Sequence, residues 1–208
     1  MIPKNREIIQ GDCREILKQI PDGSIDCAFT SPPYNRTVGD KYKEYDDHQE
    51  DYLKFLIDTT DELLRITNDK VIVNIQQTYH NKVEVFKYIG HYADKIAGVV
   101  VWVKPNAQPS INVDEMTRSV TNAFEYFFIF TKDRRFRAYG KENTLNYIST
   151  GVNPEHFEGH GAVMNYKVAH FFINKFTRGG KRLLTHLWEW GQPQRRVKHW
   201  GANGAESN

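Results

Sequence analysis

The run Thr30-Ser31-Pro32-Pro33-Tyr34-Asn35 carries the most informative chemistry in the chain. It places a hydroxyl and an aromatic ring on either side of two prolines, which stiffen the backbone between them. With proline at roughly 5% of residues, Pro-Pro-Tyr should arise by chance in on the order of one chain of this size in a hundred. Groups of this kind can hold a ligand by hydrogen bonds and ring contact. The plainer reading is a rigid turn after a strand. Other reactive residues form no comparable set: His80, His91, His156, His160 and His170 lack metal-ligand spacing. Cys13 and Cys27 are too few for a cysteine zinc site or a disulfide scaffold, so no metal is expected.

The elements around this run alternate strand and helix. Arg6 to Gln10 predicts a short strand broken by Gly11-Asp12, and Cys13, Ile16, Leu17 and Ile20 mark one face of a helix over Cys13 to Ile20. Pro21-Asp22-Gly23 signals a turn, and Ile25 to Thr30 predicts a second strand ended by Pro32-Pro33. The motif thus falls just beyond the carboxyl end of a strand in a βαβ unit, where open α/β sheets place their ligands. After a polar stretch, Asn35 to Glu50, the pattern predicts a helix over Asp51 to Ile66 and a buried strand over Lys70 to Gln76. A helix over Asn81 to Tyr92 and a strand over Ile96 to Val103 follow. Lys104 to Asn122 is a polar loop too long for a plain connector. Phe124 to Thr131 predicts an aromatic strand that turns at Lys132 to Arg135 and returns as Phe136 to Tyr139, an antiparallel hairpin. An irregular stretch, Lys141 to Met164, precedes a helix over Tyr166 to Thr177. The expected fold class is α/β, a mostly parallel sheet covered on both faces.

A chain of 208 residues with 39% hydrophobic, 26% charged and 13% aromatic residues is globular and has the size of one domain. Its longest apolar run lies near Ile96 to Val103, too short for a bilayer crossing. Met1 to Gln10 lacks the pattern of an export signal, so a reduced, cytoplasmic setting is expected. The net charge of +2 is uneven: from Lys175 onward seven basic residues face two acidic ones, a tail of about +5 on a body of about −3. Such a tail suits nucleic acid or a solvated end.

Ser31-Pro32-Pro33-Tyr34 resembles the motif of the amino-methylating DNA methyltransferases, in which Asp, Asn or Ser precedes Pro-Pro-Tyr or Pro-Pro-Phe. Gly11-Asp12-Cys13 and Ile20 to Asp26 are similar to the family's entry into its catalytic half, and Trp102 to Asn106 with Glu125 to Lys132 resembles the segment after the middle of its fold. The resemblance covers about Asn5 to Gly180. Because the catalytic motif precedes the cofactor loop, the order is that of the beta class. The resemblance implies a Rossmann-like methyltransferase fold with circularly permuted motifs, S-adenosylmethionine as cofactor and double-stranded DNA as partner. It further implies catalytic roles for Ser31, Pro32, Pro33 and Tyr34, cofactor contacts from Asp12, Cys13 and Ser31, and DNA contacts from Lys104, Asn106, Arg118, Arg134 and Arg135. Asp12 reads equally as a helix cap. Ser31 and the Pro32 carbonyl would accept hydrogen bonds from a base amino group and localise its lone pair, while Tyr34 offers a stacking face for a flipped base. Serine at the first motif position leans toward cytosine-N4 over adenine-N6. Membrane association is not implied; a homodimer, and a cognate restriction endonuclease that is not physically bound, are compatible with the class.

One family feature is missing. Beta-class members hold the cofactor's methionine part in a loop of the type Asp-Pro-Phe-x-Gly-x-Gly-Thr near the end, yet here Leu183 to Gly191 has no glycine pair. Tryptophan has a single codon, so Trp188-Glu189-Trp190-Gly191 read from the third base of each codon must give Gly, Met or Val, then Gly. In that frame Leu184 to Leu187 permit Asp-Pro-Phe-Met, and Gly191 to Gln194 permit Thr-Thr-Ala. A frameshift between about Gly179 and Leu184 accounts for both facts. The expected organisation is therefore a catalytic domain over residues 1–180, with recognition loops and the hairpin at about 104–160, and an aberrant, poorly packed tail over 181–208. The alternatives are a remnant that binds nucleic acid without catalysis and a methyltransferase for RNA or protein amino groups.

Overall fold

The computed structural model describes residues 8–35, 48–107, 116, 120–152, 164–177, 181–187 and 196–201. In chain order the elements are β1 (Ile8–Gln10), α1 (Cys13–Lys18), β2 (Ile25–Ser31), α2 (Tyr52–Ile66), β3 (Thr67–Ile75) and α3 (Lys82–His91). There follow β4 (Ile96–Val103), β5 (Phe124–Thr131), β6 (Tyr147–Ser149), α4 (Tyr166–Phe176), β7 (Arg182–Leu187) and β8 (Arg196–Gly201). The strands form one sheet in the order β1-β8-β7-β2-β3-β5-β4-β6. β5 and β8 run against the other six. This is the expected α/β architecture, with β2 parallel to both of its neighbours.

Each central strand is buried on both faces, which is why it reads as a continuous apolar run. On one face α1, α2 and α3 pack Ile16, Leu17, Leu56, Leu63 and Tyr88 over Val71, Val73, Phe128, Phe130 and Leu184. On the other, α4 packs Val168, Phe172 and Phe176 over Phe29, Ile72, Phe127, Ile129 and Leu183. Phe172 stacks on Phe127 with ring centroids 4.0 Å apart and lies 5.7 Å from both Phe29 and Phe176. Burying a side chain of this size contributes roughly 1.5–3 kcal/mol. An irregularity between Ile25 and Cys27 puts these two residues, two apart, on opposite faces of the sheet.

Several boundaries differ from expectation for local reasons. α1 stops at Lys18, because the Gln19 and Ile20 N–H groups turn back to the carbonyls of Ile16 and Leu17, three residues behind, just before Pro21. The hairpin assigned to Phe124–Tyr139 is corrected: β5 pairs with β3 and β4, and residues 136–139 form no strand. Instead the Phe136 ring stacks on Phe176 and covers Gly98, where a Cβ would collide with it. β6, within the stretch read as irregular, adds a parallel edge strand to β4.

The first part of the expected tail is also corrected, since β7 occupies its place in the sheet through Leu187, with Leu183, Leu184 and Thr185 buried. Asp26 ties it to β2 by accepting from the Arg182 N–H at 2.8 Å and the Lys181 ammonium at 3.2 Å. Partial burial works to raise the Asp26 carboxyl, and these donors outweigh it and hold the group below its ordinary range. After β7 the chain returns antiparallel as β8, which pairs with β1.

Candidate active site

The β2 ladder ends at Ser31, and neither following proline has an N–H with which to extend it. The loop that leaves the sheet is fixed from three sides. The Tyr52 hydroxyl donates to the Pro33 carbonyl at 2.7 Å, and Asn81 Nδ2 donates to the Tyr34 carbonyl at 2.7 Å and to the Gln76 carbonyl at 3.1 Å. Asn35 adopts φ of 53°, a left-handed conformation that Asn tolerates, and its side-chain oxygen accepts from the Gln49 N–H at 2.7 Å. Among the described residues, no donor reaches the Pro32 carbonyl.

The Tyr34 hydroxyl points inward. It lies 3.2 Å from Ser31 Oγ, 3.0 Å from Asn74 Oδ1 and 2.8 Å from Glu125 Oε2. Asn74 Nδ2 donates to the same Glu125 oxygen at 3.0 Å and to the Tyr126 carbonyl at 3.1 Å. The other Glu125 oxygen accepts from the Lys104 ammonium at 3.0 Å, with both side chains about nine-tenths buried. Desolvation, and then the Glu125 carboxylate, push the Tyr34 phenol well above its usual range, so Tyr34 remains a proton donor. With the Tyr34 proton on Glu125 or Asn74, the Ser31 proton is directed to Tyr34, which leaves the Ser31 oxygen lone pairs as acceptors. Pro32, the next residue in the chain, is buried. Replacing Tyr34 by Phe removes the hydroxyl and leaves Asn74 and Glu125 short of a partner; we expect a loss of roughly 1–3 kcal/mol in urea unfolding, with the sheet intact.

The structure separates the expected site residues. Ser31, Pro32, Pro33 and Tyr34 form the loop just described. Asp12 caps α1, accepting from the Arg14 N–H at 2.9 Å, and pairs with the Arg14 guanidinium at 2.7 Å. Cys13 is buried, and desolvation together with Asp12 pushes its thiol up. Lys104 is corrected: its ammonium is held by Glu125 inside the protein, beside the Trp102 ring, and is not available to a phosphate. Asn106 is exposed, and its side-chain oxygen accepts from the Val152 N–H at 2.9 Å, joining two loops. Arg134 and Arg135 are exposed but follow the end of β5 that pairs with Lys70, whereas the Ser31–Tyr34 loop lies beyond the opposite end of β3. They lie five or more residues of strand away from Ser31, roughly 17 Å, so any DNA contact they make is remote from that loop. Arg118 lies outside the described residues. Asn74, Asn81, Glu125 and Tyr52 were not legible as site residues, although Asn74 and Glu125 are polar interruptions in apolar strands, the one available signal.

A doubly wound sheet with its motif at the end of β2 defines the class, a Rossmann-like fold. Solved structures bear this out. A cytosine-N4-specific PvuII DNA methyltransferase superposes with a TM-score of 0.66 at 17% identity, covering 84% of this chain and 71% of that one. The M1.HpyAVI complex with SAM gives 0.56 at 14%, covering 86% and 81%. A putative DNA modification methylase of Thermus thermophilus bound to S-adenosyl-L-methionine gives 0.53 at 17%, covering 84% and 77%. The family model described as DNA methylase, N6_N4_Mtase, matches residues 25–204, and the chain belongs to that family. Among curated relatives it is 27% identical to the type II methyltransferase M2.MboI of Moraxella bovis over 129 residues, which cover 56% of this chain and 47% of that protein. It is 29% identical to M.SfiI of Streptomyces fimbriatus over 154 residues, 61% of this chain and 36% of that protein. The chain thus spans about half the length, or less, of these two relatives. Among the described residues no helix is long and apolar enough to cross a membrane, and no group of three or more His, Cys, Asp or Glu is placed to hold a metal ion.

Proposed function

We propose that the chain carries the catalytic half of a site-specific DNA methyltransferase acting on the exocyclic amino group of a base flipped from the duplex, cytosine-N4 before adenine-N6. The observation that carries this reading is the hydrogen-bond inventory of the loop. The Pro33 and Tyr34 carbonyls and the Tyr34 hydroxyl are all engaged by the protein, and the Ser31 hydroxyl and Pro32 carbonyl are left as a pair of acceptors. An aromatic amine is a poor nucleophile because its lone pair is delocalised into the ring. Two acceptors fixed at its two N–H groups draw the nitrogen toward tetrahedral geometry and favour the lone pair needed for attack. S-adenosylmethionine, when bound, supplies the methyl group on a sulfonium sulfur.

The residues of this chain fit that cofactor only in part. The end of β7 lies beside Ser31, where the pairing of Ser31 with Leu187 brings the two strand ends together. Residues 188–195 hold one glycine, Gly191, in place of the glycine pair that lets a backbone close around a ligand. The Asp12 carboxylate is already engaged by Arg14. We therefore read residues 1–180 as the catalytic domain and the segment that follows, from a frameshift between about Gly179 and Leu184, as translated out of frame. Duplex DNA is the proposed partner, in a cytoplasmic restriction-modification setting, with a homodimer and an unbound cognate endonuclease as further proposals. The lone glycine favours one second reading, a remnant that binds nucleic acid without catalysis.

Transfer of a labelled methyl group from S-adenosylmethionine to DNA, by this chain and by a version translated in the shifted frame, tests the reading. The shifted version should label duplex DNA and leave the mark on an amino nitrogen. Label on RNA or protein instead, or on nothing, counts against it. In that version Ser31→Ala should slow single-turnover transfer about ten- to a hundredfold, the worth of a hydrogen bond to a group gaining charge, with little change in DNA affinity. An unchanged rate would remove Ser31 from the mechanism.

A further inference from the structure

The loop after β3 presents an exposed aromatic ring at the edge of the candidate active site. Residues 76–81 leave the sheet at the carboxyl end of β3, next to the point where Ser31 to Tyr34 leave β2. The loop's backbone is held: the Thr78 N–H donates to Asn81 Oδ1 at 2.7 Å, Asn81 Nδ2 bridges the Gln76 and Tyr34 carbonyls, and Asn122 Nδ2 donates to the Gln77 carbonyl. On this fixed base Tyr79 is 81% exposed. The Lys82 ammonium sits 5.1 Å from its ring centroid, and the His80 ring meets it edge-on at 5.4 Å.

We propose that Tyr79 stacks on a base of the DNA strand that carries the target nucleotide, with Lys82 meeting a neighbouring phosphate. This rests on the DNA reading above. Three features point to a nucleobase. The ring is large and flat and has few rotatable bonds, so ordering it against a base costs little. Every base has a π-face, so an exposed aromatic side chain beside a cation fits a nucleic-acid strand without any sequence code. The Asn81 side chain joins the loop directly to the Tyr34 carbonyl, so a strand feeding a base to Ser31 passes this rim. Val83 and Phe86, half exposed on the adjoining turn of α3, make a protein partner the competing occupant.

Fluorescence anisotropy with a labelled, mixed-sequence, 16-nucleotide single-stranded DNA at low salt separates these outcomes. We expect the chain to bind, Tyr79→Ala to bind roughly five- to a hundredfold more weakly, and Tyr79→Trp to bind as the parent does. Lys82→Ala should reduce the slope of log affinity against log salt by about 0.7, the release of one phosphate's counterions. Thermal melts of all three variants should match the parent, since these side chains are exposed. If the parent chain does not bind, this inference falls, and the DNA reading falls with it when a duplex of the same sequence also fails to bind. If it binds and Tyr79→Ala binds equally well, or Tyr79→Trp is as weak as Tyr79→Ala, the inference alone falls. A change in oligomeric state on Tyr79→Ala with unchanged DNA affinity likewise overturns it and assigns the Tyr79, Val83 and Phe86 surface to a protein partner.

Discussion

Glu125→Ala should destabilise the chain by about 3–5 kcal/mol, enough to unfold much of it. The substitution leaves Lys104, a residue 6% exposed, without a counter-charge, and removes one acceptor each from Tyr34 and Asn74. Breaking a buried pair by deleting one member costs far more than deleting both, because the survivor keeps its desolvation penalty. Urea unfolding of the single variant and of Glu125→Ala with Lys104→Met provides the measurement, and the double variant should recover part of the loss. Equal losses in the two would show that the cost lies in the hydrogen bonds to Tyr34 and Asn74 and not in the isolated charge. The same network supports the loop that holds Ser31, so this variant should also lose whatever ligand binding the loop provides.

The second large effect concerns the cofactor. Calorimetric titration of this chain with S-adenosylmethionine should show no saturable binding up to about 1 mM, while the version read in the shifted frame binds in the micromolar range. That difference, on the order of a thousandfold, corresponds to about 4 kcal/mol. Backbone amides in a glycine-rich loop, together with the helix N-terminus that follows, make up much of the cofactor site in a doubly wound fold. This chain instead follows β7 with Trp188, Trp190 and then a returning strand, β8. Ordinary micromolar affinity in the chain as it stands would mean that the segment after β7 is a working variant of the loop, and would end the frameshift reading.

What the sequence determined by itself is local. Ser31 to Tyr34 could be placed beyond a parallel strand because proline ends a ladder for reasons carried in its own ring, and because the apolar run before it and the periodic helix around it are neighbours in the chain. α2 was legible over Asp51 to Ile66 for the same reason: its apolar stripe repeats at the helix's own period, and the structure adds that Asp51 caps it. The tertiary structure decided everything that depends on which strand lies beside which. Residues 34, 74, 104 and 125 come from four separate segments, and β5 brings Glu125 between Asn74 and Lys104 only because it inserts antiparallel between β3 and β4. That same insertion sends Arg134 and Arg135 to the far end of the sheet, and it converted Lys104 from a candidate phosphate contact into the buried partner of a carboxylate. A buried ion pair has no period and no neighbour in sequence: its two charges stay inside because each cancels the other's desolvation, and which charges meet is fixed by strand register.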